Sequence, residues 1–182
     1  ATLELKEPES ILENTIYFFE PEFTKEEIQI VFNKTNSGNK TMLDEKLFHE
    51  ILLNIAQNAL YAITHKFEPN AVTENPEIKN KDFRGKFIIS TFIKDNRYIF
   101  QFSDNGCGMS DDVVAKIFEP YFTTKATGTG LGMPMVFKII KEFSGDISVD
   151  SVLGEGSEFT ITIPIPQTQK KLLTHDEEVR WN

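Results

Sequence analysis

Two asparagines on an apolar stretch of the chain have the chemistry to bind a hard metal ion. Within "FHEILLNIAQNALYAI", Glu50, Asn54 and Asn58 recur at every fourth residue. Each step of four residues turns by only about 40° around an α-helix, so these side chains share one face. Carboxamide oxygens suit Mg²⁺ and its bound waters. The solvent-facing stripe of an amphipathic helix has the same pattern, so the spacing alone leaves both interpretations open.

A second motif, "SDNGCGMS", has residues that could recognise a flat heterocycle. Asp104 ends a predicted strand, where its carboxylate could accept hydrogen bonds from an exocyclic amine. Gly106 and Gly108 would let a ring lie against the backbone. A tight turn into a following helix explains the same residues. We interpret Cys107 as a small variable residue rather than a redox thiol, because the sequence has no second cysteine to resolve an oxidised one.

The third motif is the glycine-rich segment "FTTKATGTGLGMPM", Phe122–Met135. It places three glycines and four threonines immediately before an apolar run. Glycine is conformationally costly, so this concentration indicates a loop that must move or a backbone that a ligand approaches closely. A linker loop without a role in binding is the alternative.

The elements that must position these motifs follow from hydrophobic periodicity and turn residues. The pattern predicts a long helix from Asp44 to about Thr64, with Asp44 as its N-cap. The strands "KFIISTFIK" and "RYIFQFSD" form a hairpin that turns at Asp95-Asn96. Further predicted elements are a helix within Pro8–Pro21, a strand in "EEIQIVFN", a turn at Thr35–Lys40, a short helix from about Ser110, a helix from about Gly132 to Phe143 that ends at Gly145, and a hairpin of "DISVDSV" and "EFTITIPI".

Helices beside antiparallel hairpins predict an α+β two-layer sandwich. Lys66–Lys86 is polar and contains prolines, which predicts an extended surface loop. The tail from Gln167 onward is polar, and Thr174 with Glu177 predicts a capping box for a short final helix.

Bulk composition argues against several classes of protein. The 182 residues suit one domain with appendages, and a net charge of −9 disfavours a broad nucleic-acid or anionic-membrane surface. No apolar run approaches the roughly 20 residues that a membrane helix needs, and a single cysteine fits a reducing compartment. We therefore expect a cytoplasmic domain that binds no nucleic acid and makes no direct membrane contact. A membrane-anchored parent protein is compatible with that expectation.

Taken in order, the motifs resemble those of a known family. "HEILLNIAQNALYAI", "SDNGCGMS" and "FEPYFTTKATGTGLGMPM" resemble the asparagine, first glycine, phenylalanine and second glycine boxes of sensor histidine kinases, most closely the nitrogen-regulation type. "GEGSEFTITIPIP" is similar to the closing hairpin of that family. The resemblance covers a motif core at 44–166, within a predicted ATPase domain at 1–166 that a tail at 167–182 follows. It implies the Bergerat ATP-binding fold shared with gyrase, MutL and the heat-shock chaperones. There a mixed β-sheet is covered on one face by about three helices, and the nucleotide lies between the layers.

The resemblance also implies roles for individual residues. Asn58 would coordinate Mg²⁺ with help from Asn54, Asp104 would accept the adenine amine, and Lys125 would face the phosphates. Asn54 and Lys125 are the catalytic candidates, and ATP and Mg²⁺ are the implied cofactors. The implied nucleotide-binding residues are Asn54, Asn58, Asp104, Gly106, Gly108, Met109, Phe122, Thr123, Thr124, Lys125, Gly128, Thr129, Gly130, Leu131, Gly132 and Ser157.

The same resemblance implies a function for the glycine-rich segment. Backbone amides of Gly130–Gly132 at the start of a helix would bind phosphate oxygens. The residues before them would close over ATP as a lid, with Phe118 and Phe122 as anchors and Leu131 capping the base region.

The sequence departs from the family pattern at a few positions. Tyr61 stands where the family often has lysine or arginine, and Met133 replaces a common leucine. We find no dimerisation helix with a phosphoacceptor histidine. His49-Glu50 superficially matches the acceptor motif, but it lies on the nucleotide-binding helix, so we interpret His49 as a surface or interface residue.

These motifs predict the catalytic domain of a two-component sensor histidine kinase. It would transfer the γ-phosphate of ATP to a histidine on a separate dimerisation domain, with a response regulator downstream. Asn54 occupies the position of the glutamate that activates water in hydrolysing relatives, which favours transfer over hydrolysis. The alternatives are a nucleotide-binding interaction or sensor module and a serine kinase of the anti-sigma type. A DNA-linked ATPase is disfavoured by Asn54 and by the acidic charge.

Overall fold

A mixed β-sheet forms one layer of the fold in the computed structural model, which describes residues 1–67 and 83–167. The strands in chain order are β1 (Glu4–Lys6), β2 (Ile28–Asn33), β3 (Thr41–Leu43), β4 (Gly85–Lys94), β5 (Arg97–Asp104), β6 (Asp146–Val152) and β7 (Gly156–Pro164). Five of the described strands form the main sheet in the order β2-β4-β5-β7-β6. Only the β2–β4 pair is parallel in that sheet, and the other neighbours are antiparallel.

The second layer is formed by three helices: α1 (Pro8–Lys25), α2 (Glu45–Lys66) and α4 (Gly132–Glu142). The described residues also include the short helix α3 (Asp111–Lys116), which contacts β6. α2 lies between α1 and α4 and packs on β4 and β5, while α1 contacts β2 and α4 contacts β6. The predicted two-layer α+β sandwich, with a mixed sheet under about three helices, is therefore confirmed.

The two layers meet through side chains at strand and helix periodicity. Tyr98, Phe100 and Phe102 alternate along β5 and are all buried, as one face of a covered strand requires. α2 buries residues three or four apart: Phe48, Ile51, Leu52, Ile55, Ala56, Ala59 and Ile63. Each large apolar side chain buried there contributes about 1.5–3 kcal/mol to folding, so α2 is held rigidly and its polar face has a defined direction.

The ends of two helices show how local sequence sets their positions. The Asp44 carboxylate accepts hydrogen bonds from the backbone amides of Lys46 and Leu47, as predicted for the N-cap of α2. α4 ends at Glu142, earlier than expected, and Ser144 rather than Gly145 adopts the left-handed conformation, with φ of 56°. The amide of Gly145 donates to the Ile140 carbonyl at 2.9 Å, which completes a Schellman motif.

Helix lengths differ from the sequence expectation. α1 continues past Pro21 to Lys25, because the proline lies on the exposed side of the helix, where water can replace the lost hydrogen bond. The loop expected at Lys66–Lys86 is shorter at both ends, since α2 includes Lys66 and β4 begins at Gly85. Residues 68–82 of that loop and the expected capping box at 174–177 lie outside the described residues.

A small antiparallel ribbon of β1 and β3 was not predicted. Glu4 pairs with Leu43 and Lys6 with Thr41. Each strand has three residues, too few for a periodic signal, and the pairing partners are distant in sequence.

In the part of the chain that the structure describes, no helix has the length and apolar content needed to cross a bilayer.

Candidate functional site

An open cleft lies between α2, the carboxyl end of β5, α3 and the segment before α4. Of the sequence-predicted binding residues, those that line the cleft are Asn54, Asn58, Asp104, Gly108, Met109, Phe122, Thr123, Thr124, Lys125, Gly128, Thr129, Gly130, Gly132 and Ser157. Three motifs that are far apart in sequence therefore converge on one cavity between the sheet and the helices.

Two predicted binding residues, Gly106 and Leu131, and Glu50 of the polar stripe do not line this cleft. The amide of Gly106 instead donates to Oδ1 of Asp104 at 2.8 Å, and a Cβ at Gly106 would lie 2.6 Å from the Ala62 side chain. Glycine is therefore needed there because α2 packs closely on the turn. Leu131 is 45% exposed at the start of α4. Glu50 lines a neighbouring groove with His49.

One end of the cleft holds a desolvated carboxylate. Burial raises the pKa of Asp104 to about 6, although hydrogen bonds from the amides of Gly106 and Ser157 and the charge of Lys66 oppose that shift. Ser157 pairs with Asp104 across the β5–β7 ladder, and its hydroxyl lies 2.9 Å from that of Ser151. The Asp104 carboxylate also lines the cleft, where it could accept a hydrogen bond from an amine.

The opposite end of the cleft presents carboxamide oxygens. Nδ2 of Asn54 donates to the Glu50 carbonyl at 2.8 Å, which turns its Oδ1 towards Gly132, where a Cβ would lie only 2.7 Å away. Oδ1 of Asn58 accepts a hydrogen bond from Nζ of Lys125 at 2.8 Å. A cationic group thus already contacts the oxygen that was predicted to hold a metal ion.

These residues fit a cation that keeps most of its waters. Among the residues that the structure describes, no group of three histidines, cysteines or acids could form a dedicated metal cage. Mg²⁺ typically takes few protein ligands and completes its octahedron with water and substrate phosphate. The neutral oxygens of Asn54 and Asn58 suit that role.

The segment at 122–131, which we call the lid, folds over the cleft from the side of α4. Its base is fixed by a hydrogen bond from the Tyr121 amide to the Gly130 carbonyl at 2.9 Å. Phe118, just before the lid, packs on Phe137 of α4 with ring centroids 5.5 Å apart. Phe122 lines the cleft rather than the core. The structure therefore supports Phe118 as an anchor and places Phe122 at the binding surface.

The family described as "Histidine kinase-, DNA gyrase B-, and HSP90-like ATPase" matches residues 43–167. The chain belongs to this ATPase family. The matched range includes every motif that lines the cleft, so the resemblance inferred from the sequence is confirmed.

Individual relatives of this ATPase domain are sensor kinases. The chain is 32% identical over 157 residues to signal transduction histidine-protein kinase AtoS of Escherichia coli (strain K12), which covers 86% of this chain and 23% of AtoS. It is 30% identical over 169 residues to sensor histidine kinase ZraS of Salmonella typhi, which covers 93% of this chain and 33% of ZraS. The chain thus spans no more than about a third of these curated relatives.

A solved structure confirms the fold of the ATPase domain. The catalytic domain of histidine kinase ThkA superposes with a TM-score of 0.73 at 23% identity, covering 91% of this chain and 97% of that one. At this level of identity the comparison supports the architecture and carries no residue roles.

Several cleft residues of the ATPase domain were not predicted as binding residues. They are Gln57, Tyr61, Ala62, Cys107, Val113, Ile117, Met133, Pro134 and Phe159. Gln57 and Tyr61 follow Asn54 and Asn58 by three residues, and this spacing alone places them beside the polar stripe. Val113 and Ile117 are four residues apart at the short α3, whose six helical residues gave too little periodicity to assign a face.

Proposed function

We propose that this ATPase domain binds Mg·ATP and delivers the γ-phosphate to a histidine on a separate dimerisation domain. The observation that carries the proposal is the convergence of the asparagine stripe, the Asp104 turn and the glycine-rich lid on one cleft. We take residues 1–166 as the functional unit. The cleft places a hydrogen-bond acceptor at one end and cation-binding oxygens at the other.

Adenine would bind at the Asp104 end. Asp104 accepts hydrogen bonds from backbone amides, so its carboxylate is oriented before a ligand arrives. Gly108 has φ of +63°, and a Cβ there would lie 2.0 Å from the Val152 carbonyl. The turn beside the base site therefore accepts only glycine without rearranging, because the Val152 carbonyl fills the space that a Cβ would need. Met109 supplies an apolar contact.

The triphosphate would lie along the lid and the start of α4. Free amides at the N-terminus of a helix favour phosphate oxygens, and Gly132 is the first residue of α4. Lys125 would contribute a positive charge that the lid carries over the phosphates. Asn58 and Asn54 would hold Mg²⁺, which when bound neutralises phosphate charge and orients the γ-phosphoryl group.

The side chains of the cleft favour transfer over hydrolysis. Among the described residues that line it, Asp104 is the only carboxylate, and it lies at the adenine end. Asn54 cannot accept a proton from water, and its Nδ2 is engaged by the Glu50 carbonyl. Among the described residues that line the cleft, none beside the metal-binding oxygens can therefore act as a general base for water.

The proposal implies two partners for this domain. A dimerisation domain would present the acceptor histidine, and a response regulator would then receive the phosphoryl group. Because ATP is the substrate, the domain must face the cytoplasm, whether or not its parent protein is anchored in a membrane. We propose no contact of this domain with nucleic acid or with lipid.

Radiolabelled ATP tests the reaction directly. The full chain should be mixed with the dimerisation domain of its parent protein, and labelled phosphate should appear on a histidine of that domain. The bond should be stable in alkali and lost in acid. A label that survives acid would indicate a serine kinase, and nucleotide binding without any label would indicate a sensor module.

Two matched glycine substitutions test the lid. Gly130 and Gly154 both have positive φ, of 68° and 85°. A Cβ at Gly130 would lie 2.4 Å from the Tyr121 backbone, whereas a Cβ at Gly154 has open space. Gly154→Ala should lower the free energy of unfolding by about 1–2 kcal/mol and leave ADP affinity unchanged. Gly130→Ala should also displace the lid and weaken ADP binding at least about tenfold. Denaturation and calorimetry measure the two effects, and equal ADP affinities would contradict this role of the lid.

The pKa of Asp104, raised to about 6 by burial, predicts opposite pH trends for binding and stability. Between about pH 7.5 and about pH 5 the carboxylate becomes protonated, so ADP affinity should fall about tenfold. Over the same range the contribution of Asp104 to the free energy of unfolding should increase, because the folded protein favours the protonated form more than the unfolded chain does. A carboxyl carbon NMR titration measures the pKa directly. A midpoint below about 4.5 would contradict the expected desolvation.

A further inference from the structure

The ammonium group of Lys125, in the lid, contacts the carboxamide oxygen of Asn58. The proposed function assigns this same oxygen to the metal ion. Nζ of Lys125 lies 2.8 Å from Oδ1 of Asn58 and 4.6 Å from the centroid of the Tyr61 ring. Asn58 and Tyr61 are three residues apart on α2 and therefore share a face. The ammonium is held between a carboxamide oxygen and the face of an aromatic ring, a geometry in which both contacts are attractive.

The Tyr61 ring is oriented by a neighbour on the same helix. It stacks on His65 with centroids 4.5 Å apart and an interplanar angle of 22°, and its hydroxyl lies 3.4 Å from Nε2 of His65. A lysine or arginine, which the family often has at this position, would repel Lys125. Tyrosine attracts it instead, so this departure from the family pattern changes the sign of the interaction with the lid.

The groups that hold Lys125 are neutral. Among the described residues, no carboxylate lies within ion-pair distance of its ammonium, and Lys125 is half-buried, which lowers its pKa. A charge bound by neutral partners in a partly desolvated site transfers readily to an anion that enters the site. These contacts therefore stabilise the position of the lid in the absence of nucleotide and still allow Lys125 to move to a bound phosphate.

We propose that Tyr61 is a positioning residue that holds Lys125 on Asn58 in the nucleotide-free protein, so that the lid ammonium and Mg²⁺ compete for one carboxamide oxygen. This inference rests on the proposed nucleotide-binding function. Entry of the magnesium nucleotide would displace Lys125 from Asn58 and free the ammonium to contact the phosphates. Tyr61 thereby raises the magnesium concentration that binding requires and couples lid movement to the arrival of the metal.

The first experiment needs no nucleotide. Amide hydrogen exchange of the lid is measured in the full chain for wild type, Tyr61→Leu, Tyr61→Phe and Lys125→Met. Loss of the ring or of the ammonium should speed exchange about three- to tenfold, whereas Tyr61→Phe keeps the ring face and should match wild type. Tyr17→Leu on α1 is the control, because Tyr17 is 82% exposed and does not line the cleft.

The second experiment measures the magnesium requirement. Calorimetric ADP titrations at a series of Mg²⁺ concentrations should show half-maximal binding at about fivefold less magnesium in Tyr61→Leu than in wild type. Tyr61→Phe and Tyr17→Leu should be unchanged. A merely structural role for Tyr61 would instead weaken binding at every magnesium concentration without lowering the magnesium requirement.

The outcomes separate this inference from the function on which it rests. An unchanged or increased magnesium requirement in Tyr61→Leu, or lid exchange equal to wild type, would overturn the role of Tyr61 while leaving nucleotide binding intact. Absence of ADP binding by the wild-type chain at any magnesium concentration would overturn the proposed function. The exchange difference between Tyr61→Leu and Tyr61→Phe would then still report whether the ring holds the lid.

Discussion

Asp104→Asn is expected to reduce affinity for ADP and ATP at least about 100-fold, because hydrogen bonds to a buried charged group are worth about 1.5–3 kcal/mol and the variant adds a repulsive contact. The amides of Gly106 and Ser157 both donate to this carboxylate. A carboxamide can satisfy them with only one oxygen, so its NH₂ group must face either a backbone donor or the adenine amine. Isothermal calorimetry with ADP measures the loss.

The same substitution should leave the protein folded. Burial raises the pKa of Asp104 to about 6, which means that the ionised carboxylate is unfavourable in the folded state, and a neutral carboxamide removes that cost. Thermal unfolding should show a melting temperature no lower than that of wild type by more than a few degrees. Asp150→Asn, at an exposed position of β6, is the matched control. Wild-type affinity in Asp104→Asn would rule out the adenine assignment.

Asn58→Ala is expected to lower the rate of phosphotransfer about 100-fold or more, since removal of one preorganised electrostatic contact in an active site typically costs a factor of about 10²–10³. Asn58 is the cleft residue whose carboxamide oxygen contacts a cation in this structure. Alanine is a good helix former, so α2 should be preserved. The rate is measured as label transferred to the dimerisation domain.

The dependence of ADP affinity on magnesium distinguishes a metal role from a general loss of binding. In wild type, adding Mg²⁺ should strengthen ADP binding, whereas in Asn58→Ala the affinity should be nearly insensitive to magnesium. Asn14→Ala, at an exposed position of α1, should behave as wild type. A variant at Asn58 that kept a normal response to magnesium would show that another group holds the metal.

The sequence was sufficient to predict the elements that depend on residues close together in the chain. The apolar spacing of α2, its Asp44 cap and the hairpin turn at Asp95-Asn96 all depend on residues within a few positions of each other. In the turn both residues have positive φ, of 50° and 59°, as a tight hairpin requires. These features were predicted correctly because short-range sterics and hydrogen bonds decide them.

Pairings between distant residues could not be predicted in this way. The β1–β3 ribbon joins two three-residue strands, and α1 continues through Pro21 only because its outer side faces solvent. Gly106 and Leu131 belong to recognisable motifs, yet packing directs one against α2 and the other towards solvent. The motifs therefore predicted which segments lie near the cleft, but they could not predict which residues of those segments line it.

The sequence by itself determined the chemical groups of the site: the carboxamides, the strand-end carboxylate and the glycine-rich lid. Each lies in a short motif, and the order of the motifs identified the family. Tertiary packing alone decided that Asp104 has a raised pKa and that Lys125 reaches Asn58 across 67 positions of sequence. Both effects depend on how far a group lies from water and which groups surround it. Burial and proximity of that kind arise only when the layers pack, so they are properties of the folded chain.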